Sequence, residues 1–246
     1  MNLTELIKES KYIVAFTGAG VSVESGIPDF RSSGGLYTSG EFEGMNPEMI
    51  LTRKTFRTNP KLLLKFYKER LMHMVDKEPN RTHIALKQLE DMGKLKFIIT
   101  QNIDNLHKKC GSKNVLEIHG NGTRFKCSIE CGLTYTYEEF LDMLEKDPNP
   151  KCKCEFASIR PDVVLFDEAL NDGIFEKAYE ETKKCDLMIA MGSSLIVRPA
   201  CTLLEEIPDT AKLVIINKES TYYDRRADLV IRENCGGIME LVMKTL

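Results

Sequence analysis

The sequence lacks an excess of charge of either sign, and it lacks long apolar runs. Its 246 residues include 34 Lys or Arg and 37 Asp or Glu, which gives a formal net charge of −3. Because these charges are well mixed, we expect no field that would hold nucleic acid phosphates or an anionic membrane. The longest apolar runs, such as residues 187–191, fall far short of the roughly 18 to 20 residues that a membrane helix needs. We therefore expect neither a nucleic acid partner nor a membrane span.

We expect no targeting segment at the N-terminus, and the sequence lacks a dense cysteine framework. Two of the first nine residues are acidic and the first arginine is Arg31, which is unlike a signal or transit peptide. The 8 cysteines are widely spaced, as expected for thiols in a reducing compartment. A chain of this length buries roughly 70–75% of its unfolded surface and needs no disulfides to fold. We expect a cytoplasmic protein whose composition is compatible with a monomer.

Short apolar runs of strand length recur along the chain. They are rich in Val and Ile without in/out alternation, which is typical of strands covered on both faces. The segments between several of them have helical periodicity. One predicted helix follows the N-cap candidate Asn80 and has apolar residues at Ile84, Leu86, Leu89 and Met92. The pattern predicts an α/β fold, a mainly parallel sheet with helices on both faces. The predicted strands are residues 12–16, 97–99, 115–118, 187–191, 213–216 and 229–231.

Small and polar residues follow five of these predicted strands. Open α/β sheets bind ligands beyond the carboxyl ends of their strands, so these residues are expected to meet at one site. Gly18-x-Gly20 after a strand can bring N–H groups to a pyrophosphate, although Val23 replaces the third glycine of a dinucleotide fingerprint. An ordinary tight turn explains that loop alone equally well. The segments are Thr17-Gly18-Ala19-Gly20, Thr100-Gln101-Asn102-Ile103-Asp104, His119-Gly120-Asn121, Gly192-Ser193-Ser194 and Asn217-Lys218-Glu219.

Four cysteines stand together in a stretch that has few apolar runs, residues 122–158. The pairs Cys127-x3-Cys131 and Cys152-x-Cys154 predict a structural tetrathiolate zinc site, which would stabilise an insert too small to fold alone. One pair is a residue longer and the other a residue shorter than a C-x2-C knuckle. Idle reduced thiols are the alternative.

Histidine, the usual base at neutral pH, occurs only four times. His119 is the preferred catalytic candidate, because it ends a predicted strand on the ligand side and precedes Gly120, which leaves room for a substrate. His73, His83 and His107 are interpreted as structural groups.

Taken in order, six segments closely resemble the sirtuin family of NAD-dependent protein lysine deacylases. The resemblance runs from about residue 3 to the C-terminus with family-like spacing. It implies a Rossmann-like NAD-binding domain of residues 1–30, 79–121 and 159–246. A cofactor-binding loop and helical module would occupy residues 31–78, and a zinc-binding insert residues 122–158. The segments are Thr17-Gly18-Ala19-Gly20-Val21-Ser22, Gly26-Ile27-Pro28-Asp29-Phe30-Arg31, Thr100-Gln101-Asn102-Ile103-Asp104-Asn105-Leu106-His107, His119-Gly120, Gly192-Ser193-Ser194-Leu195 and Ile215-Ile216-Asn217.

The resemblance implies a reaction and a role for each site residue. An acyl-lysine carbonyl oxygen of a protein substrate would attack the ribose of NAD and expel nicotinamide. His119 would then act as general base, with Asn102 and Asp104 beside the reacting ribose, and the acyl group would end on ADP-ribose. The implied NAD contacts are Gly18, Ala19, Gly20, Phe30, Arg31, Gln101, Asn102, Ile103, Asp104, Gly192, Ser193, Ser194, Asn217 and Cys235. One structural zinc ion would be held by Cys127, Cys131, Cys152 and Cys154.

Two further features concern the substrate. By the resemblance, Val163, Val164 and Phe166 belong to a segment against which the acyl-lysine peptide lies as an added strand. The next residue departs from the family, because Asp167 stands where the family usually has glycine. Its carboxylate would favour basic peptides or crowd the added strand.

Tyr67 and Arg70 are three residues apart, hence on one face of a predicted helix. They resemble the pair by which some sirtuins bind the carboxylate of succinyl- or malonyl-lysine, a charge-assisted contact. A surface arginine beside a core tyrosine is the alternative interpretation.

Two other functions stay open at this point. A protein mono-ADP-ribosyltransferase would share the loss of nicotinamide but would not need His119 as a base. A non-catalytic NAD or peptide sensor would bind the cofactor without releasing nicotinamide. The intact Asn102, Asp104 and His119 favour the deacylase.

Overall fold

A six-stranded parallel sheet forms the centre of the structure, a computed structural model that describes residues 2–32 and 34–246. Residues 1 and 33, which belong to two of the predicted parts, lie outside the described residues. The strands are β1 (Ile13–Thr17), β2 (Leu95–Thr100), β3 (Val115–Glu117), β4 (Gly120–Cys127), β5 (Thr134–Tyr135), β6 (Ile159–Val163), β7 (Leu187–Met191), β8 (Lys212–Ile216) and β9 (Leu229–Ile231). The α-helices are α1 (Leu3–Glu9), α2 (Pro47–Ile50), α3 (Arg53–Thr58), α4 (Pro60–Arg70), α5 (Arg81–Asp91), α6 (Leu106–Lys109), α7 (Tyr137–Lys146), α8 (Asp172–Thr182) and α9 (Cys235–Thr245).

The strand order in the large sheet is β3-β2-β1-β7-β8-β9, and every pair in it is parallel. The register aligns the carboxyl ends of the central strands, since Thr17 pairs with both Thr100 and Met191, and Met191 pairs with Ile216. The loops that follow these strands therefore start at the same edge. The predicted parallel sheet is confirmed.

Both faces of this sheet are covered, which explains the unbroken apolar strands. In β1, Ile13 and Ala15 belong to one buried cluster, which includes residues of α1, α5 and α9. Val14 and Phe16 belong to the cluster on the other face, which includes residues of α8 and of the 3₁₀ turn Ala200–Glu206. Because strand side chains alternate between faces, a strand buried on both sides is apolar throughout.

The predicted helix after Asn80 is α5, and only some of its apolar residues are buried. The helix begins after Asn80, whose side chain accepts a hydrogen bond from the Thr82 N–H at 2.9 Å, as the N-cap prediction requires. Leu86 and Leu89 are buried, but Ile84 is 46% exposed, and Met92, just past the helix, is 52% exposed. At 3.6 residues per turn Ile84 lies about 200° around the helix from Leu86, so the two cannot share a buried face.

A small second layer consists of the antiparallel sheet β5-β4-β6 and of helices α2, α3, α4 and α7. Its buried cluster joins Phe66 and Tyr67 of α4 to Phe125 of β4 and Phe140 of α7. The rings of Phe125 and Phe140 stack with centroids 4.0 Å apart. The boundaries of the three predicted parts stay a prediction. Among the described residues, no helix combines the length and the apolar character needed to cross a lipid bilayer.

Two buried histidines pack against each other behind β1. Their ring centroids are 4.7 Å apart, and His107 Nε2 lies 3.0 Å from the Thr17 hydroxyl. His83 Nδ1 accepts a hydrogen bond from the Asn80 N–H at 3.3 Å. Burial lowers the pKa of His83 to about 4 and the pKa of His107 well below its usual value. Both rings are neutral in the folded protein, in agreement with the structural role predicted for them.

We expect this pair to destabilise the fold in mild acid. Below about pH 6.5 these histidines become protonated in the unfolded chain but stay neutral in the folded chain. Their contribution to the free energy of unfolding is therefore complete above that pH and is lost as the pH falls towards 4. His83 alone should account for about 2 kcal/mol between pH 7 and pH 5. Urea unfolding at both pH values should show this loss shrinking more in His83→Gln than in His73→Gln, because His73 is exposed and burial lowers its pKa less. An unchanged pH dependence in His83→Gln would contradict the assignment.

Candidate active site

A cavity of about 530 Å³ lies at the carboxyl edge of the parallel sheet. The segments after β1, β2, β3, β7 and β8 all contribute to its wall, so the five segments predicted to meet do line one site. Their residues on this wall are Gly18, Ala19, Gly20, Gln101, Asn102, Ile103, His119, Gly192, Ser193, Ser194, Asn217 and Glu219.

The two glycine loops of the cavity pack directly against each other. The Gly20 N–H donates to the Gly192 carbonyl at 2.8 Å, and a Cβ atom on Gly20 would lie 2.7 Å from Gly192 Cα. Gly192 also has a φ of +58°, which glycine adopts without strain. Backbone contact between the loops therefore requires glycine at both positions.

Three backbone N–H groups at these loops have no hydrogen-bond acceptor among the described residues. They belong to Ala19, Ser193 and Ser194, and all three residues line the cavity. The Ser194 side chain is exposed to the cavity as well. A group of free N–H donors at strand ends suits an anionic ligand such as a pyrophosphate, because the donors lie where negative charge can replace water.

His119 lies in the cavity wall, where a hydrogen bond fixes the orientation and the tautomer of its ring. Its Nδ1 lies 3.1 Å from the carbonyl oxygen of Gln101. Because a carbonyl can only accept, Nδ1 carries the proton and Nε2 keeps a lone pair. Burial lowers the pKa of His119, and the hydrogen bond to Gln101 opposes that shift. The ring is therefore neutral at pH 7 and able to accept a proton.

Asn102 and Gln101 connect this wall to the glycine loops. The Asn102 amide group donates to the Gly18 carbonyl at 3.1 Å and to the Ser22 hydroxyl at 3.2 Å. Gln101 Nε2 donates to the Ser193 hydroxyl at 2.9 Å. The segment after β2 thus sets the positions of both loops that line the cavity.

Two predicted cofactor residues do not line the cavity. Asp104 is buried, where it accepts hydrogen bonds from the Ser22 hydroxyl at 2.6 Å and from the Leu106 N–H at 2.9 Å. Burial raises the pKa of its carboxyl, and these two hydrogen bonds oppose the increase. Cys235 is also buried, and its Sγ lies 3.5 Å from the Ile216 carbonyl oxygen. Asp104 lines the smaller pocket that adjoins this cavity, whereas Cys235 lines neither.

The loop after residue 26 supplies the opposite wall. Phe30 and Arg31 line the cavity as predicted, and Arg31 Nη2 lies 3.6 Å from a Glu48 carboxylate oxygen. Tyr37 also lines it, 5.2 Å from Phe30 between ring centroids, and was missed. No sequence motif marked Tyr37; its position follows from its N–H donating to the Phe30 carbonyl at 2.9 Å, a contact that only the folded loop creates.

The segment predicted to receive a peptide is fixed beside His119. The Val164 N–H donates to the His119 carbonyl at 2.9 Å. The Phe166 N–H donates to the Leu51 carbonyl at 2.9 Å, and the Phe166 carbonyl accepts from the Arg53 N–H at 2.9 Å. The predicted substrate residues Val163, Val164 and Phe166 all line the cavity.

Tyr67 and Arg70 line two adjacent pockets. Tyr67 lines the main cavity, but it is only 1% exposed and its hydroxyl donates to the Gly122 carbonyl at 2.6 Å. Arg70 lies over the Phe42 ring, 5.8 Å from its centroid, and lines a smaller neighbouring pocket. That pocket shares Ala19, Phe30, Leu71, Asn102 and Ile103 with the main cavity.

The four predicted metal ligands converge at the end of β4. The sulfur atoms of Cys127, Cys131, Cys152 and Cys154 all lie within 4.8 Å of one another. Two of the separations are 3.7 Å and 3.6 Å. Four thiolates on a tetrahedral zinc ion, with Zn–S bonds of about 2.3 Å, are about 3.8 Å apart, so this donor set fits zinc. The irregular spacing in the sequence does not prevent the cluster from forming.

Comparisons with known proteins agree on one family. The Sir2 family model matches residues 18–199 of this chain. A Clostridium perfringens protein named NAD-dependent protein deacetylase is 44% identical over 241 residues, which cover 98% of this chain and 97% of that protein. An Archaeoglobus fulgidus protein named NAD-dependent protein deacylase 2 is 39% identical over 245 residues, with coverages of 98% and 93%.

Solved structures show the same similarity in three dimensions. A Sir2 chain solved with a deacetylated p53 peptide and 3'-O-acetyl-ADP-ribose gives a TM-score of 0.90 at 36% identity, covering 98% of this chain and 96% of that one. Sir2Tm bound to a propionylated peptide gives a TM-score of 0.87 at 35% identity, with coverages of 98% and 95%.

Proposed function

Because the chain belongs to the Sir2 family, we propose that it is an NAD-dependent protein lysine deacylase. It would transfer the acyl group from a lysine side chain to ADP-ribose and release nicotinamide. The observation that carries this proposal is that one cavity is lined by a neutral, oriented histidine and by the free N–H groups of two glycine loops.

The residues of this cavity suit NAD as co-substrate. The free N–H groups of Ala19, Ser193 and Ser194 would hold the phosphates, and Asn217 would lie at the adenosine ribose. Gln101, Asn102 and Ile103 would face the nicotinamide end, with Asp104 fixing Ser22 and thereby the loop. NAD supplies the anomeric carbon that receives the acyl oxygen and the nicotinamide that leaves.

His119 would provide the base for this reaction. Its Nε2 can take a proton from a ribose hydroxyl, while the Gln101 carbonyl stabilises the imidazolium that forms at Nδ1. The apolar walls contributed by Phe30, Val163 and Leu165 would keep water from the reacting ribose.

The experiment that tests this proposal measures nicotinamide release. The purified protein would be incubated with NAD and either an acetyl-lysine peptide or the same peptide with free lysine. Nicotinamide should appear only with the acetylated peptide, because the acyl oxygen is the nucleophile. Equal release with both peptides would contradict a deacylase.

We also propose that Arg70 extends the acyl range to succinyl- and malonyl-lysine. Its guanidinium forms no ion pair with the described residues and borders a pocket that adjoins the main cavity. A carboxylate that reached this pocket would gain a charge-assisted contact.

Arg70→Met should lower desuccinylation by roughly 10- to 100-fold, because it removes a hydrogen bond to a charged group. Deacetylation should change by less than about threefold, because an acetyl group has no carboxylate that could bind the Arg70 guanidinium. Arg57→Met, on the exposed surface of α3, is the matched control. Parallel assays with acetyl and succinyl peptides measure the ratio, and an equal loss of both activities would contradict this role.

A further inference from the structure

The charged side chains of the cavity wall differ in whether they have partners. Arg31 pairs with Glu48, Arg198 lies 3.8 Å from a Glu205 carboxylate oxygen, and Asp29 accepts from the N–H groups of Arg31 and Ser32. Each of these side chains therefore already has an ion-pair or hydrogen-bond partner within the protein.

Glu168 is engaged most strongly of all. Both of its carboxylate oxygens accept from the Arg160 guanidinium, and one also accepts from the Leu165 N–H at 2.9 Å. This arrangement lowers the pKa of Glu168 despite its burial. Its charge is neutralised inside the protein and is not available to a ligand.

Asp167, its neighbour, is different. Its carboxylate is exposed on the cavity wall and forms neither an ion pair nor a hydrogen bond with the part of the chain that the structure describes. Glu219 is the other such carboxylate on this wall, but it stands beside Asn217, at the proposed nucleotide end.

The backbone holds Asp167 at this position. Its φ of +68° lies in the left-handed region. On its N-terminal side, the backbone of Phe166 forms hydrogen bonds with the backbones of Leu51 and Arg53. On its C-terminal side, the Glu168 N–H donates to the Leu165 carbonyl at 3.1 Å. Glycine or asparagine would accept this φ at least as well, so the backbone does not by itself call for a carboxylate.

We propose that Asp167 is a specificity residue that selects acyl-lysine peptides with Lys or Arg next to the acyl-lysine. This proposal rests on the proposed function and on the peptide position that the family resemblance implies, along Val163, Val164 and Phe166. Asp167 follows directly on that segment, and neighbouring residues of an extended peptide are about 3.3 Å apart, so its carboxylate would face a residue close to the acyl-lysine.

The test uses three acetyl-lysine peptides that differ only in the residues flanking the acetyl-lysine, which are basic, neutral or acidic. The wild-type protein should show a kcat/KM about fivefold higher for the basic than for the acidic peptide, as expected for one solvent-exposed ion pair. The difference should lie mainly in KM. It should shrink when the ionic strength is raised from about 0.05 M to about 0.5 M, because exposed charges are screened.

Asp167→Asn and Asp167→Gly should both bring this ratio close to one, since each removes the charge and tolerates the left-handed backbone. Asp209→Asn removes a carboxylate elsewhere on the surface, off the cavity wall, and should keep the wild-type ratio. A wild-type ratio near one, or a ratio that survives in both Asp167 variants, would overturn the proposal. Failure of the wild-type protein to deacetylate even the neutral peptide would instead contradict the proposed function.

Discussion

Replacing His119 with alanine is expected to lower kcat/KM for deacetylation by about 10²- to 10⁴-fold, the usual contribution of a general base. The reason is the oriented ring, whose Nδ1–H is held by the Gln101 carbonyl and whose Nε2 is left to accept a proton. The structure should tolerate the change, because the backbone bond from the Val164 N–H to the His119 carbonyl needs no side chain. His73→Ala, at an exposed histidine that lines the smaller neighbouring pocket but not the main cavity, is the matched control. A residual rate above about a tenth of the wild-type rate would contradict the role of His119.

The same residue sets the acid limb of the pH profile. The base works only when neutral, so activity should fall as the pH drops through the pKa of His119. Because burial lowers that pKa, the acid limb should lie below pH 6.5, the usual value for histidine. The limb should be absent from the residual activity of His119→Ala.

Replacing Cys127 with serine is expected to remove zinc and unfold the small sheet around it. Zinc binding contributes folding free energy to such sites, so losing one of four thiolates should cost at least about 3 kcal/mol. Cys127 is fully buried, and serine leaves a hydroxyl without a metal in its place.

The loss of zinc should also disturb the active site, because the paired strands β4 and β6 run from the cysteine cluster to His119. Cys127 pairs with Ile159 at one end of β4 and β6, and Gly120, which follows His119, pairs with Val163 at the other. Metal analysis should find about one zinc per wild-type chain and per Cys110→Ser chain, and almost none for Cys127→Ser. A wild-type protein free of zinc, with all four thiols reactive, would contradict the site.

The parallel sheet could be predicted because each of its strands is marked by its own stretch of sequence. β7 is apolar at every position and β1 is apolar from Ile13 to Phe16, which indicates burial on both faces, and polar residues begin where each strand ends. The register that aligns Thr17 with Thr100 and Met191 then brings those polar ends together. This is why most of the NAD residues assigned from the resemblance lie on one wall.

Other parts of the site depend on contacts that no local pattern encodes. Asp104 belongs to the same motif as Asn102, but its carboxylate accepts hydrogen bonds from Ser22 and Leu106, and it lines the smaller neighbouring pocket rather than the main cavity. Helical spacing predicts Tyr67 and Arg70 on one face, but it does not predict that Tyr67 lines the main cavity while Arg70, over the Phe42 ring, lines the smaller neighbouring pocket.

The metal site shows the opposite case. The irregular spacing of the cysteines weakened the prediction, but the antiparallel pairing of Lys126 with Arg160 and the loop before β6 bring the thiols together. Spacing along the chain is a poor guide where strand pairing sets the geometry.

The most direct test of the account is mass spectrometry of both products after the protein is incubated with NAD and an acetyl-lysine peptide. A deacylase predicts the deacetylated peptide and O-acetyl-ADP-ribose in equal amounts, and both should disappear in His119→Ala. A peptide or protein that gains ADP-ribose while the acetyl group stays in place would indicate a transferase. Unconsumed NAD would indicate a sensor, and either result would contradict the proposed reaction.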